Sequence, residues 1–313
     1  MNTVVVVGSL NIDHVLKVSE LPLKGETIIS ESYELHEGGK GANQAVAIGR
    51  MGIDVRMIGK IGKDVYGQML LKSLTHSNVK TENIIIDKKL RTGTALITVD
   101  RKGYNTIVLY QGANGGLRID DILKNKKTLK KCDIVVLQQE IPRDVISYTI
   151  NIAKEYKKII VLNFAPALDL SKDSIKKVDF LILNESEISK LTGIECNEKN
   201  VKEPILQLKR FFKNNIIVTL GEYGSAYMTS CGDYYRIPSV RVNSVDSTGA
   251  GDAFIGGFVY GLVQMKDIYD CVILGNIAGA MSVQKVGAQA SLPYENELKN
   301  FLKTKKMSYI WKE

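Results

Sequence analysis

Asp246-Ser-Thr-Gly-Ala-Gly-Asp252, followed by Ala253-Phe-Ile-Gly-Gly-Phe258, joins a small-residue turn to an apolar helical stretch. Gly249, Ala250 and Gly251 put no bulky side chain between backbone and ligand. N–H groups at the helix start can therefore converge on an anion, aided by the positive end of the helix dipole. A carboxylate beside such a nest, Asp252, repels bound phosphate in the ground state, so its presence makes sense if it takes a proton from an attacking hydroxyl. The chemistry indicated is phosphoryl transfer. Taken alone, Asp252 has a plainer reading as an N-cap or first-turn acid, and Asp246 as a turn residue bonding its own loop.

A second constellation lies upstream. Gly8-Ser-Leu-Asn11-Ile-Asp13 follows a run of four valines, and Gly38-Gly39-Lys40-Gly41-Ala42-Asn43-Gln44 opens another apolar helix. Asn11, Asp13 and Asn43 offer donors and acceptors at strand ends, the chemistry needed to grip a polyhydroxylated ligand. Gly38 to Gly41 let the backbone come close to it. The plainer reading has Asn11 and Asp13 capping a strand-to-loop turn, and the Lys40 side chain covering a helix start while its backbone faces the ligand. Glu140 sits between Gln138-Gln139 and Pro142, where helix entry is the alternative role.

Composition narrows the classes. The 42 Lys plus Arg against 34 Asp plus Glu leave a net charge of +8, but the lysines are scattered and no basic run is interleaved with aromatics. Nucleic-acid binding is disfavoured, and a solvated Lys-rich surface that helps draw in an anionic substrate is the simpler account. Cys132, Cys196, Cys231 and Cys271 are far apart, and His14, His36 and His76 lack ligand spacing. A reduced, cytoplasmic setting fits; a zinc site or a Ser-His-Asp triad does not, so acid–base work falls to carboxylates. The longest apolar stretch, 253–263, is interrupted by three glycines and is short of the ~20 residues that span a bilayer, so no membrane role is expected.

The elements that must position these residues show in the hydrophobic pattern. Val- and Ile-rich runs at Thr3–Val7, Arg56–Ile61, Asp133–Leu137, Ile159–Asn163, Phe180–Leu183 and Ile216–Leu220 predict strands buried on both faces. Helical patterns at 64–76 and 143–156 alternate with them, which implies an α/β, doubly wound, mainly parallel sheet with helices on both faces. Helices at about 250–264, 269–285 and 294–303 close the chain. Gly256, Gly257 and Gly261 predict close packing of the first of these on the sheet. Segments 12–37 and 91–111 alternate apolar and polar residues around hairpin signals, and predict a small antiparallel β lid inserted into a single domain, 1–313. Unpaired lid edges predict a homodimer in which two lids pair.

The ordered pieces resemble the ribokinase branch of the sugar kinase family, which includes bacterial minor phosphofructokinases, fructokinases and adenosine kinase. The resemblance covers essentially the whole chain: the two motifs above, Glu140, Asn184-x-x-Glu187, Thr219-Leu-Gly-x-x-Gly224, 246–252, and Lys285-Val-Gly-Ala-Gln-Ala-Ser291. It implies ATP-dependent phosphorylation of D-ribose at O5, with a same-fold kinase for deoxyribose, fructose or a nucleoside as the alternative. By that resemblance Asp252 is the general base and Gly249, Ala250 and Gly251 form the anion hole. Asn11, Asp13, Gly39, Lys40, Gly41, Asn43 and Glu140 match ribose-binding positions, and Asn184, Thr219, Gly221, Gly224, Gly251 and Asn276 nucleotide positions. Glu187 matches the acid that helps organise Mg²⁺. Asp246, Thr248, Ser282, Lys285, Gly287 and Ser291 match the loops that hold a monovalent cation, expected to be K⁺, mostly through carbonyls. Departures are few: Ser247 stands where threonine is usual, and Ala290 where proline is common, which loosens the cation loop. A sugar-binding regulator without catalysis is disfavoured by retention of Asp252 and its nest. A dinucleotide-dependent dehydrogenase is disfavoured because no G-x-G-x-x-G follows the first strand.

Overall fold

The computed structural model describes residues 3–304. Fourteen strands fall into two sheets: β1 Thr3–Val7, β2 Asn11–Lys17, β3 Ser32–Gly38, β4 Asp54–Gly62, β5 Val79–Lys80, β6 Ile84–Asp87, β7 Gly93–Val99, β8 Asn105–Tyr110, β9 Ile134–Leu137, β10 Ile159–Asn163, β11 Phe180–Asn184, β12 Asn215–Thr219, β13 Ser225–Met228 and β14 Tyr234–Ile237. The larger sheet runs β14-β13-β12-β11-β10-β9-β1-β4-β5, with β6 also on β4. Every pairing from β12 to β5 is parallel.

The four-valine run shows why this sheet needs cover on both sides. Side chains alternate across a strand, so Val4 and Val6 enter one core while Val5 and Val7 enter the other. Helices Lys40–Arg50, Ala250–Val263 and Ile268–Ser282 cover the first face; Arg143–Glu155, Glu185–Thr192 and Lys202–Lys209 cover the second. Strand order reverses between β1 and β9, with β4 on one side and β10 on the other. Ligands of open α/β sheets bind at such a switch, beyond the carboxyl ends of the strands. Asn11 and Asp13 follow β1 there, and Gln138 to Glu140 follow β9.

The smaller sheet runs β3-β2-β7-β8. Its two antiparallel pairs lie where the hairpin signals placed them, and they join along a parallel β2–β7 seam, both strands following parallel strands, β1 and β6, that flank β4 in the large sheet. The edge hairpin β13–β14 is antiparallel and falls outside the predicted runs. The predicted packing of Gly256, Gly257 and Gly261 on the sheet is corrected: these glycines face other helices. A Cβ at Gly257 would overlap the Leu274 carbonyl, one at Gly256 would come 2.6 Å from Ala47 Cβ, and one at Gly261 2.8 Å from Cys271 Cα. Helix 269–285 ends early, at Ser282, which frees 283–287 to form a loop beside the anion turn. Among the described residues no helix is long and apolar enough to cross a membrane.

Candidate active site

Helix Ala250–Val263 starts from Gly249, whose φ of 79° lies in the left-handed region that glycine tolerates. That turn aims the helix N-terminus into a cavity of about 210 Å³ lined by Lys40, Asn184, Glu187, Thr219, Gly249, Ala250, Gly251 and Asp252, among others. The N–H groups of Gly249 and Gly251 find no acceptor among the described residues. Ala250 differs from expectation, since its N–H donates to Ser247 O at 3.2 Å to close the turn.

Asp252 is only 6% exposed, and both its oxygens are engaged. Asn43 Nδ2 donates to Oδ2 at 3.0 Å and Gln44 Nε2 to Oδ1 at 2.9 Å. Both donors come from the first turns of helix Lys40–Arg50, which crosses the start of helix Ala250–Val263. A first-turn acid does occur here, but its carboxylate is bonded by side chains of another helix and does not cap its own. Asn43 Oδ1 is buried with no donor among the described residues, the acceptor a substrate hydroxyl needs. One amide thus faces both the carboxylate and the pocket.

The pocket beyond is built on β2 and the Gly38–Gly41 turn. Asn11, 3% exposed, accepts from Asn114 Nδ2 at 2.7 Å, while Asn114 Oδ1 accepts from Leu10 N at 2.9 Å. Asp13 lies against Gly38, where any Cβ would overlap its carboxylate, and a Cβ at Gly39 would come 2.7 Å from Asn11 N. Burial, then the neighbouring Glu140 and Asp252, push the Asp13 carboxyl up to about 7, with His36 opposing. Glu140 accepts from Lys40 N at 3.0 Å and from Ser9 Oγ at 2.6 Å. It therefore does cap the helix carrying Lys40, and the remaining capacity of its half-buried carboxylate faces the same end of the sheet.

On the phosphate side, the Lys40 side chain lines the cavity and does not merely cover the helix start. Burial opposes its charge, but Asp252, Glu140 and Glu187 together hold the ammonium above its usual range. Asn184 and Glu187 form a capping box: Glu187 N donates to Asn184 Oδ1 at 2.9 Å and Asn184 N to Glu187 Oε2 at 2.8 Å. The Asn-x-x-Glu pattern thus has a local structural cause, and Glu187 also lines the cavity. Burial raises the Glu187 carboxyl, against the Asn184 N–H and Lys40. Glu187, a second carboxylate on the cavity beside Asp252, suits Mg²⁺, which takes few protein ligands and keeps water. Thr219 also lines the cavity, and Gly221 and Gly224 shape the turn after β12, with φ of 54° and 87°. Asn276 is placed outside this lining, donating to Ile237 O at 3.4 Å.

The cation-loop residues split. Asp246 ties the two segments together, accepting from Thr248 N at 2.9 Å and Gly287 N at 2.8 Å. Burial would raise its carboxyl, but these bonds take it below the usual value. Ser282 Oγ donates to Gly279 O, Ser291 Oγ to Ala288 O, and Lys285 Nζ pairs with Glu297 at 2.8 Å. The side chains of Ser282 and Ser291 are thus bonded within their own segments, and that of Lys285 to Glu297. The loop also leans on the nest: a Cβ at Gly249 would lie 3.2 Å from Ala288 Cα.

A pocket for hydroxyls and a nest for an anion, meeting at one carboxylate, is the layout of a kinase for small hydroxylated molecules. Known proteins agree. The model of the pfkB family of carbohydrate kinases matches residues 1–295, and this chain belongs to that family. A ribokinase of Staphylococcus aureus is 37% identical over 300 residues, covering 95% of this chain and 98% of that protein. A deoxyribokinase of Salmonella typhi is 34% identical over 301 residues, covering 96% and 98%. The structure of Arabidopsis thaliana ribokinase complexed with ribose and ATP matches with a TM-score of 0.89 at 27% identity, covering 96% of this chain and 99% of that one.

Four polar residues of the site went unassigned in the sequence: Gln44, Gln138, Asn163 and Asn114. Gln44 lay within a recognised motif. The other three stand near strand ends more than 70 residues from the groups they serve, and only strand order brings them in.

Proposed function

We propose that this chain is an ATP-dependent ribokinase that transfers the γ-phosphoryl group to O5 of D-ribose, giving D-ribose 5-phosphate and ADP. The observation that carries the reading is Asp252: it is buried, bonded to Asn43 from the hydroxyl pocket and one residue from the free N–H of Gly251. Ribose is gripped by Asn11, Asp13, Asn43 and Glu140 against the Gly38–Gly41 backbone. The smaller sheet acts as a lid on a single-domain enzyme and excludes water. As the 5-hydroxyl attacks in line, its proton passes to Asp252, and charge on the transferring group is met by the Gly249 and Gly251 N–H groups and the Lys40 ammonium. Glu187 would help hold Mg²⁺, which would supply further charge neutralisation at the ATP phosphates. The segments 246–248 and 282–291, tied by Asp246 to Gly287 N, would hold K⁺, whose charge would help keep them against Gly249.

Two copies are proposed to pair through the lid. Every residue of β8 is exposed, including Ile107, Val108 and Tyr110, and a large apolar concavity lined by Tyr66, Leu96 and Tyr110 adjoins it. A cytoplasmic location fits the free cysteines. The second reading, deoxyribose as substrate, is favoured by the Salmonella typhi likeness and differs by one hydroxyl. Turnover with ATP and a panel of D-ribose, 2-deoxy-D-ribose, D-fructose and adenosine separates them: kcat/KM for ribose is expected to exceed the rest at least tenfold. A higher value for any other substrate overturns the ribose reading.

A further inference from the structure

Gln44 is fully buried and both polar atoms of its amide are bonded. Nε2 donates to Asp252 Oδ1 at 2.9 Å and to Asn163 Oδ1 at 3.0 Å, while Oε1 accepts from Gln138 Nε2 at 2.6 Å. Asn163 Nδ2 points in turn at the Ile182 carbonyl, 3.4 Å away, an acceptor that cannot reverse. Gln138, also fully buried, is seated on Gly8, where a Cβ would collide with its Oε1. That Oε1 has no partner among the described residues, so the only bond of the Gln138 side chain is the one it gives to Gln44.

We infer that Gln138, Gln44 and Asn163 form a directed amide chain whose task is to present an N–H, and never a carbonyl, to the Asp252 carboxylate. The role of this amide chain rests on the proposed base role of Asp252, and amide sense decides it. A Gln amide turned by 180° swaps donor for acceptor. Reversal of Gln44 would set its oxygen against Asp252 Oδ1, which can only accept, and against Asn163 Oδ1, whose sense is set by the Ile182 carbonyl. Those two like contacts at a buried site forbid it, and the donor from Gln138 to Oε1 adds to the preference. Both Asp252 oxygens are then fixed, Oδ2 by Asn43 and Oδ1 by Gln44, which sets the orientation of the carboxylate while each oxygen keeps acceptor capacity for a substrate hydroxyl. Gln44 and Gln138 are positioning residues: neither lines the cavity. The catalytic geometry is thus tied to the ends of β9 and β10, the two strands on one side of the switch point.

The test is a double-mutant cycle on kcat, with sugar and ATP KM measured alongside. Gln44→Met, close in volume and lacking donors, is expected to lower kcat about 10- to 100-fold, the effect of losing one hydrogen bond to a buried charge, with both KM values within threefold. Gln138→Met, which removes only the donor to Gln44 Oε1, is expected to lower kcat about 3- to 10-fold by the same reasoning. In the Asp252→Asn background each is expected to change residual kcat less than twofold, because the group being positioned has gone. A loss confined to KM, a kcat within twofold of wild type in both variants, or losses that multiply in the Asp252→Asn background each overturn the inference. An Asp252→Asn enzyme that keeps more than a tenth of wild-type kcat overturns the base role itself, a separate result. Melting temperatures recorded for all variants set aside any that fails to fold, and Gln138→Met, which leaves Asp252 its donor, decides if Gln44→Met does not.

Discussion

The burial of Asp13 costs the free protein stability at neutral pH. Its carboxyl is pushed from the usual 3.8 up to about 7, first by burial and then by Glu140. The folded state therefore holds a proton that the unfolded chain releases above pH 4. Stability is present below the unfolded value and is lost as pH rises through the folded one, so the loss accrues between about pH 4 and 7. At 1.36 kcal/mol per pH unit the gap corresponds to at most about 4 kcal/mol, of which about 2–3 falls between pH 5 and pH 8. Asp13→Asn removes the titration while keeping shape. The variant is expected to gain on wild type with rising pH, by about 2 kcal/mol more at pH 8 than at pH 5, or ~5 °C in Tm for a chain of this size. The same substitution takes away an acceptor for ribose hydroxyls and is expected to weaken ribose binding by about 1–3 kcal/mol. Thermal unfolding of both proteins without ligand at pH 5 and pH 8, with ribose calorimetry at pH 8, checks both halves. A Tm difference that is the same at the two pH values refutes the electrostatic reasoning, and unchanged ribose affinity refutes the assignment of Asp13 to the sugar.

Lys40→Met is expected to lower kcat at least tenfold and raise the KM for ATP, because it removes the cation among Asp252, Glu140 and Glu187; steady-state kinetics with unchanged ATP parameters contradicts this. Gly249→Ala forces a side chain into a left-handed φ of 79° against Ala288 Cα, and is expected to cost about 1–2 kcal/mol in stability and to lower kcat, read by melting and turnover. At matched ionic strength and saturating Mg-ATP, K⁺ or NH₄⁺ is expected to raise kcat well above the value in Na⁺ or Li⁺, and Asp246→Ala to abolish the difference by cutting the Gly287 tie. Equal rates in K⁺ and Na⁺ leave Asp246 as a turn residue.

The large sheet was legible because its strands are buried on both faces, so runs such as Val4–Val7 and Ile159–Asn163 stand out without any contact information. β13 and β14 did not stand out: they are four residues each, at an edge, and alternate too briefly to differ from loop. The site was legible where one loop must supply glycine and polar groups together, as at 38–44 and 246–252. Local pattern also concealed roles. Asn184-x-x-Glu187 carries a capping box as well as a cavity carboxylate, and Glu140 caps a helix that starts 100 residues away. Gln138 and Asn163 gave no signal, because a buried amide in a strand-end sequence reads like any other until the strands are set in order. The parallel β2–β7 seam was hidden for the same reason: hairpin signals describe neighbours in sequence, and this pairing joins segments some 80 residues apart.

The most direct test of the account compares Asp252→Asn with wild type on D-ribose and ATP, measuring kcat by ADP release and ribose affinity by calorimetry on the same preparations. The amide keeps the shape of the side chain but cannot take the hydroxyl proton at neutral pH. The account predicts ribose affinity within threefold of wild type and kcat lowered by about 10²-fold or more. A variant that binds ribose and turns over above a tenth of the wild-type rate contradicts it.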